Sequence, residues 1–144
     1  MSITFDRKLY NVRFDRVKEG VVLFRVIIAG GRHFNDYGML REYADKLLRK
    51  RIEAGDKITI LSGHCYGTDL LGERYAGERG FDLEIYEAEW ARYGRSAGPR
   101  RNKQMAERAD ALIAFWDGES RGTSNMIEEA KSKGLAVRVK LYTK

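Results

Sequence analysis

Leu23–Ala29 reads LFRVIIA and runs directly into Gly30-Gly31-Arg32-His33-Phe34. A short run rich in Val, Ile and Phe that ends at paired glycines is the pattern of a buried strand leading into a tight turn. The residues that follow change period. From Tyr37 to Ala54 the apolar positions are Leu40, Tyr43, Ala44, Leu47, Leu48 and Ile52, which is helical spacing, and Gly55 suits the helix end. The same alternation continues along the chain. Strands are expected at 57–61 (KITIL), 83–86, 111–116 (ALIAFW) and 135–141, with helices at 68–79, 99–108 and 124–133. Pro99 stands in a first helical turn, where its missing N–H is no loss. Lys131 and Lys133 followed by Gly134 mark a helix C-terminus.

Strands alternating with helices at this spacing imply crossover connections and a mostly parallel sheet. Right-handed crossovers favour the order 3-2-1-4-5 for the five strands, a doubly wound, Rossmann-like α/β fold. In such a sheet the loops after the first and fourth strands face each other, and ligands bind between them at the carboxyl ends of the strands. Residues 1–22 lie before this core, with strand-like stretches at Ile3–Phe5, Leu9–Phe14 and Val21–Val22. They are expected to form a β extension to a domain spanning residues 23–144.

Composition limits the function classes. The 144 residues suit one globular domain, at 43% hydrophobic and 33% charged. No apolar run approaches the roughly 20 residues that cross a bilayer, and the charged start lacks a signal-peptide core. A lone Cys65 rules out an internal disulfide and fits a cytoplasmic setting. Cys65 and two histidines offer no metal-ligand spacing, so neither a metal nor a cofactor is expected. The net charge is +6, and the excess is clearest where Arg92, Arg95, Arg100, Arg101, Lys103 and Arg108 face Glu107 alone. That balance suits an anionic partner.

Four loops carry the chemistry. In the first, Gly30 and Gly31 allow close backbone approach, Arg32 offers a charge-assisted contact and Phe34 follows. The second holds Ser62, Gly63, Gly67 and Asp69 at the start of a helix, where free N–H groups attract anions. Thr68 or Asp69 equally suits a helix cap. The third, WARYGRSAGPRRN at 90–102, brings Trp90 for a base and Arg101 and Asn102 for phosphate. The fourth, from Asp117 through Gly118, Ser120, Gly122, Thr123 and Ser124, combines backbone freedom with hydroxyls beside a helix N-terminus. It is neither a P-loop nor a GxGxxG turn, which disfavours dinucleotide redox chemistry.

The stretches GGRHF (30–34), SGHCYGTDLLGERYA (62–76), EWARYGRSAGPRRNKQM (89–105) and ADALIAFWDGESRGTSNMI (109–127) resemble the SLOG superfamily, and within it the small YspA/YpsA-like members of bacteria and phages. The resemblance runs from about Val26 to Val139. It implies a Rossmann-like fold, a pocket for nucleotides or their derivatives, a role in sensing or processing nucleotide signals, and dimers or tetramers. Spare β edges in the N-terminal segment also favour a homo-oligomer. The related LOG phosphoribohydrolases cleave an N-glycosidic bond with an arginine and a glutamate. Arg101 matches that arginine, but Ser124-Asn125-Met126 follows Gly122-Thr123 where the glutamate belongs, and Glu128 and Glu129 come a turn late. An asparagine cannot act as a base. The superfamily also includes DprA-like proteins that bind single-stranded DNA, through chains that carry further domains.

The expected function is therefore binding of a nucleotide-derived ligand, as a sensor or sequestering module. A nucleotide N-glycosidase, with Arg101, Asp69 and Asp117 as candidate catalytic residues, is the alternative. Single-stranded nucleic-acid binding is a further alternative.

Overall fold

A computed structural model of the chain describes residues 17–143. The elements in order are β1 (Val17–Lys18), β2 (Val21–Gly30), α1 (Tyr37–Glu53), β3 (Lys57–Ser62), α2 (Thr68–Arg79), β4 (Asp82–Ile85), α3 (Trp90–Tyr93), α4 (Ala97–Arg108), β5 (Ala111–Trp116), α5 (Arg121–Ser132) and β6 (Ala136–Leu141). A short 3-10 turn, Gly94–Ser96, joins α3 to α4. The sheet runs β4-β3-β2-β5-β6 with all neighbouring pairs parallel. Numbered over the core strands alone, that is the 3-2-1-4-5 order expected of the sequence. β1 adds an antiparallel edge to β2 through Glu19 and Gly20, both at positive φ, as a two-residue hairpin turn requires. The strand-like stretches Ile3–Phe5 and Leu9–Phe14 lie outside the described residues.

The largely apolar central strands β2, β3 and β5 are explained by burial on both faces. Side chains alternate across β2 and β5, so Val26, Ile28, Ile113 and Phe115 pack under α1 and α2. Ile27, Ala29, Leu112 and Ala114 instead meet Met105, Ala106, Met126 and Ile127 of α4 and α5. Tyr75 of α2 is fully buried, yet its hydroxyl donates to Asp45 Oδ1 of α1 at 2.6 Å. Arg79 grips the same carboxylate from the surface. Tyr75→Phe is expected to cost about 1 kcal/mol in chemical denaturation, the worth of one such bond.

Two helix starts differ from the sequence reading. The fourth-loop helix was expected from Ser124 but begins at Arg121. Asp117 Oδ1 accepts from the N–H groups of both Glu119 and Ser120 at 2.8 Å, and that turn commits Ser120 as the cap. Gly122, Thr123 and Ser124 therefore lie in the first helical turn. The helix expected from Pro99 begins at Ala97, and the preceding stretch, expected as loop, contains α3. Pro99 remains within the first turn, where no N–H partner is due. The cap of α2 is neither Thr68 nor Asp69 but Gly67, whose φ of 82° suits glycine alone.

Candidate functional site

Beyond the carboxyl ends of β2 and β5, where the chain reverses its winding direction, lies a cavity of about 580 Å³. Loops after β2, β3 and β5 and the start of α4 enclose it. The floor is held by close backbone approaches. A Cβ on Gly30 would overlap the Phe115 carbonyl oxygen and Thr68 Oγ1, and one on Gly31 would overlap the Tyr142 hydroxyl. Gly31 N donates to Phe115 O at 3.1 Å, while the Gly31 carbonyl accepts from Thr68 N and Thr68 Oγ1. These bonds tie the first loop to β5 on one side and to α2 on the other.

Arg101 projects from α4 into this frame. Its Nη1 donates to the Gly63 carbonyl at 2.8 Å and its Nε to Asn102 Oδ1 at 2.9 Å. Asn102 is buried and turns its amide toward α5, donating to Asn125 Oδ1 at 2.9 Å and Gly122 O at 3.3 Å. One asparagine thus fixes the arginine relative to the N-terminus of α5. There Ser120 Oγ accepts from Thr123 N, and the amides of the first turn open toward the cavity end of the helix. Trp90, 49% exposed, lines the cavity and brings the far edge of its ring near Gly98.

Asp69 is the buried ionisable group of the site, 6% exposed. Its Oδ2 accepts from Cys65 N at 3.2 Å. Burial pushes its pKa up to about 6, against the opposing pull of the Cys65 N–H and the Arg101 guanidinium. Beside it, His64 is held at a φ of 59°. The Glu73 carboxylate at 2.8 Å from His64 Nδ1 raises the imidazole pKa. Four arginines border the cavity, Arg32, Arg95, Arg101 and Arg121, against Asp69, Asp117 and Glu119. With Asp69 reluctant to ionise, the balance favours an anion.

Of the residues expected at a site, Gly30, Gly31, Arg32, Asp69, Trp90, Arg101, Asn102, Asp117, Ser120, Gly122 and Thr123 line this one cavity. Others do not reach its surface. Phe34 turns into the core, stacked on Phe115 with centroids 4.8 Å apart and edge-on to Tyr142. Ser62 is fully buried, its Oγ donating to Glu73 at 2.8 Å. Gly63 and Gly67 act through their backbones, one as the acceptor for Arg101, the other packed on the carbonyls of Gly31 and Arg32. Gly118 and Ser124 lie outside the lining.

The sequence reading also missed residues. Arg95 and Arg121 line the cavity and sit in the two loops already singled out, so their charge was the available signal. Asn125 needed the earlier start of α5 to be placed. Tyr142 follows β6 and arrives only because β6 lies beside β5, with no local mark in the sequence.

Comparison with known proteins is consistent with this architecture. A family model described as the YspA, cpYpsA-related SLOG family matches residues 24–93. The Gene 61 protein of Mycobacterium phage D29 is 32% identical over 120 residues, covering 78% of this chain and 93% of that protein. Among solved structures, DNA processing protein A from Streptococcus pneumoniae superposes with a TM-score of 0.62 at 16% identity, over 94% of this chain and 61% of that one. The chain thus spans about three-fifths of that DNA processing protein's length. A structural-genomics target, TM1055, superposes at 0.57 with 17% identity, covering 80% of this chain and 72% of its own. At such identities the structural matches speak to the fold.

Proposed function

The chain belongs to the YspA, cpYpsA-related SLOG family, and from that premise we propose that it binds a nucleotide or nucleotide-derived small molecule in the cavity between the β2 and β5 loops, as a sensor or sequestering module. One observation carries the reading: Arg101, the N-terminus of α5 and the half-exposed Trp90 converge on a single cavity at the sheet's point of reversal. Guanidinium and helix amides supply the phosphate contacts. The indole supplies a stacking face for a base. Asn125, Gly30 and Gly31 line the same cavity and are the polar groups offered to a ribose.

Arg101→Ala is expected to weaken nucleotide binding by more than about 1 kcal/mol, the loss of a charge-assisted hydrogen bond, measured by calorimetry against the unsubstituted protein. Unchanged affinity would remove Arg101 from the site. The same titration repeated across salt concentrations separates a small ligand from a polynucleotide. Binding through many phosphates gives a steep dependence, with a slope of about 0.7 per phosphate for single strands. A small ligand gives a shallow one.

A second reading, cleavage of the ligand's N-glycosidic bond, is favoured by Asp69, a carboxyl inside the cavity whose pKa of about 6 leaves it able to hold and release a proton near neutrality. It predicts free base released from nucleoside monophosphates and lost in Asp69→Asn. Intact nucleotide after prolonged incubation, assayed chromatographically, would dismiss it.

A further inference from the structure

The Asp69 carboxyl and the Arg101 guanidinium flank Gly63 without pairing. A Cβ on Gly63 would lie 2.7 Å from Arg101 Nη1 and 2.9 Å from Asp69 Oδ2. Arg101 spends Nη1 on the Gly63 carbonyl and Nε on Asn102, and its Nη2 makes no hydrogen bond to any described residue. Asp69 spends Oδ2 on the Cys65 N–H, and its Oδ1 takes no hydrogen bond from any described residue. Both groups line the cavity. An anion seated on the open edge of Arg101 therefore sits beside a buried carboxyl that makes no ion pair with any described residue and competes with it for the field of Arg101.

We propose that anion binding in this cavity is coupled to protonation of Asp69, so that the protein takes up a proton as its ligand's phosphate docks on Arg101. The proposal rests on the reading of the cavity as a phosphate site. Two negative charges in a poorly solvated space repel strongly, and the buried carboxyl relieves the repulsion by protonating. Linkage requires the reverse effect: ionised Asp69 weakens the anion's affinity by the same factor that the anion disfavours ionisation. Burial already brings this carboxyl to the edge of neutrality. The other charges facing it are Arg101 from α4, Arg32 from the first loop, Glu73 from its own helix and the neighbouring His64. Arg32 and Arg101 favour the carboxylate, and Glu73 opposes it. His33 also lines the cavity, so its contribution is separated from that of Asp69 by substitution.

The test is titration with sulfate, which stays dianionic across the range and adds no titration of its own. Binding is followed by backbone amide shifts at pH 5.0 and pH 7.5 in the unsubstituted protein and in Asp69→Asn. The expected result is about tenfold tighter sulfate binding at the lower pH, equivalent to a one-unit shift of the carboxyl. In Asp69→Asn the affinity at pH 7.5 rises to the low-pH value of the unsubstituted protein and the pH dependence collapses. Equal affinity at both pH values in the unsubstituted protein overturns the coupling and leaves the phosphate site standing. A dependence that survives in Asp69→Asn belongs to the histidines and also overturns it. An absence of sulfate binding at either pH overturns the phosphate-site reading and the coupling together.

Discussion

Gly67→Ala is expected to lower stability by about 3 kcal/mol or more, and the melting temperature by roughly 10 °C for a domain of this size. Two effects add. The residue holds φ 82° and ψ −126°, a region that an L-side chain occupies only at a cost of about 1–3 kcal/mol. Its Cβ would also overlap the carbonyl oxygens of Gly31 and Arg32, which are backbone and cannot swing aside. The Gly31 carbonyl is the acceptor for Thr68 N and Thr68 Oγ1, so displacing it unstitches the first loop from α2. Gly77→Ala, in the same helix with nothing within 4 Å of the added carbon, is the control. It is expected to stabilise by about 0.5–1 kcal/mol through helix propensity. Equal effects of the two substitutions would show that the loop contact carries no energy.

The second large effect concerns Asp69. Its pKa in the fold, about 6, lies above the ordinary value of 3.8, so the folded state binds the proton more tightly than the unfolded chain does. Stability is therefore full below about pH 4, declines as pH rises, and reaches its lower plateau once the carboxyl has ionised in both states above about pH 6. Asparagine keeps an acceptor for the Cys65 N–H and cannot ionise. Asp69→Asn is expected to match the unsubstituted protein near pH 4 and to exceed it by about 2–3 kcal/mol at pH 8, the free energy of a shift of that size. Urea denaturation at several pH values measures the gap. A gap that does not widen between pH 4 and pH 8 would mean that burial does not penalise this charge. A carboxyl that weakens the fold at neutral pH is the kind of residue kept for what it does to a ligand.

The centre of the sheet was legible because β2, β3 and β5 are buried on both faces. LFRVIIA and ALIAFW admit no amphipathic reading, and alternating helices of ordinary length leave few topologies open. Local choices among equivalent capping residues were less legible. Ser120, Thr123 and Ser124 all suit a helix start, and the outcome depended on Asp117 folding back onto two amides. The short α3 lacks the length from which a period can be read. At the site, glycines and arginines announced themselves by type. The roles of Phe34 and Ser62 did not, because an aromatic or a hydroxyl in a glycine-rich loop serves the core as readily as a ligand. Phe34 is drawn inward by the Phe115 ring, a contact between loop and strand 81 residues apart that spacing along the chain does not reveal.

The central claim is that one cavity receives a nucleotide through Arg101, the α5 N-terminus and Trp90. The most direct measurement is titration of the labelled protein with a panel of mono- and dinucleotides, followed by amide and indole N–H shifts. The account predicts saturable shifts for at least one nucleotide, concentrated at Gly31, Arg32, Gly122, Thr123 and the Trp90 indole, and saturating at about fivefold or more higher concentration in Arg101→Ala. Saturable shifts confined to other surfaces, or a spectrum unmoved by the whole panel at millimolar concentration, would contradict it.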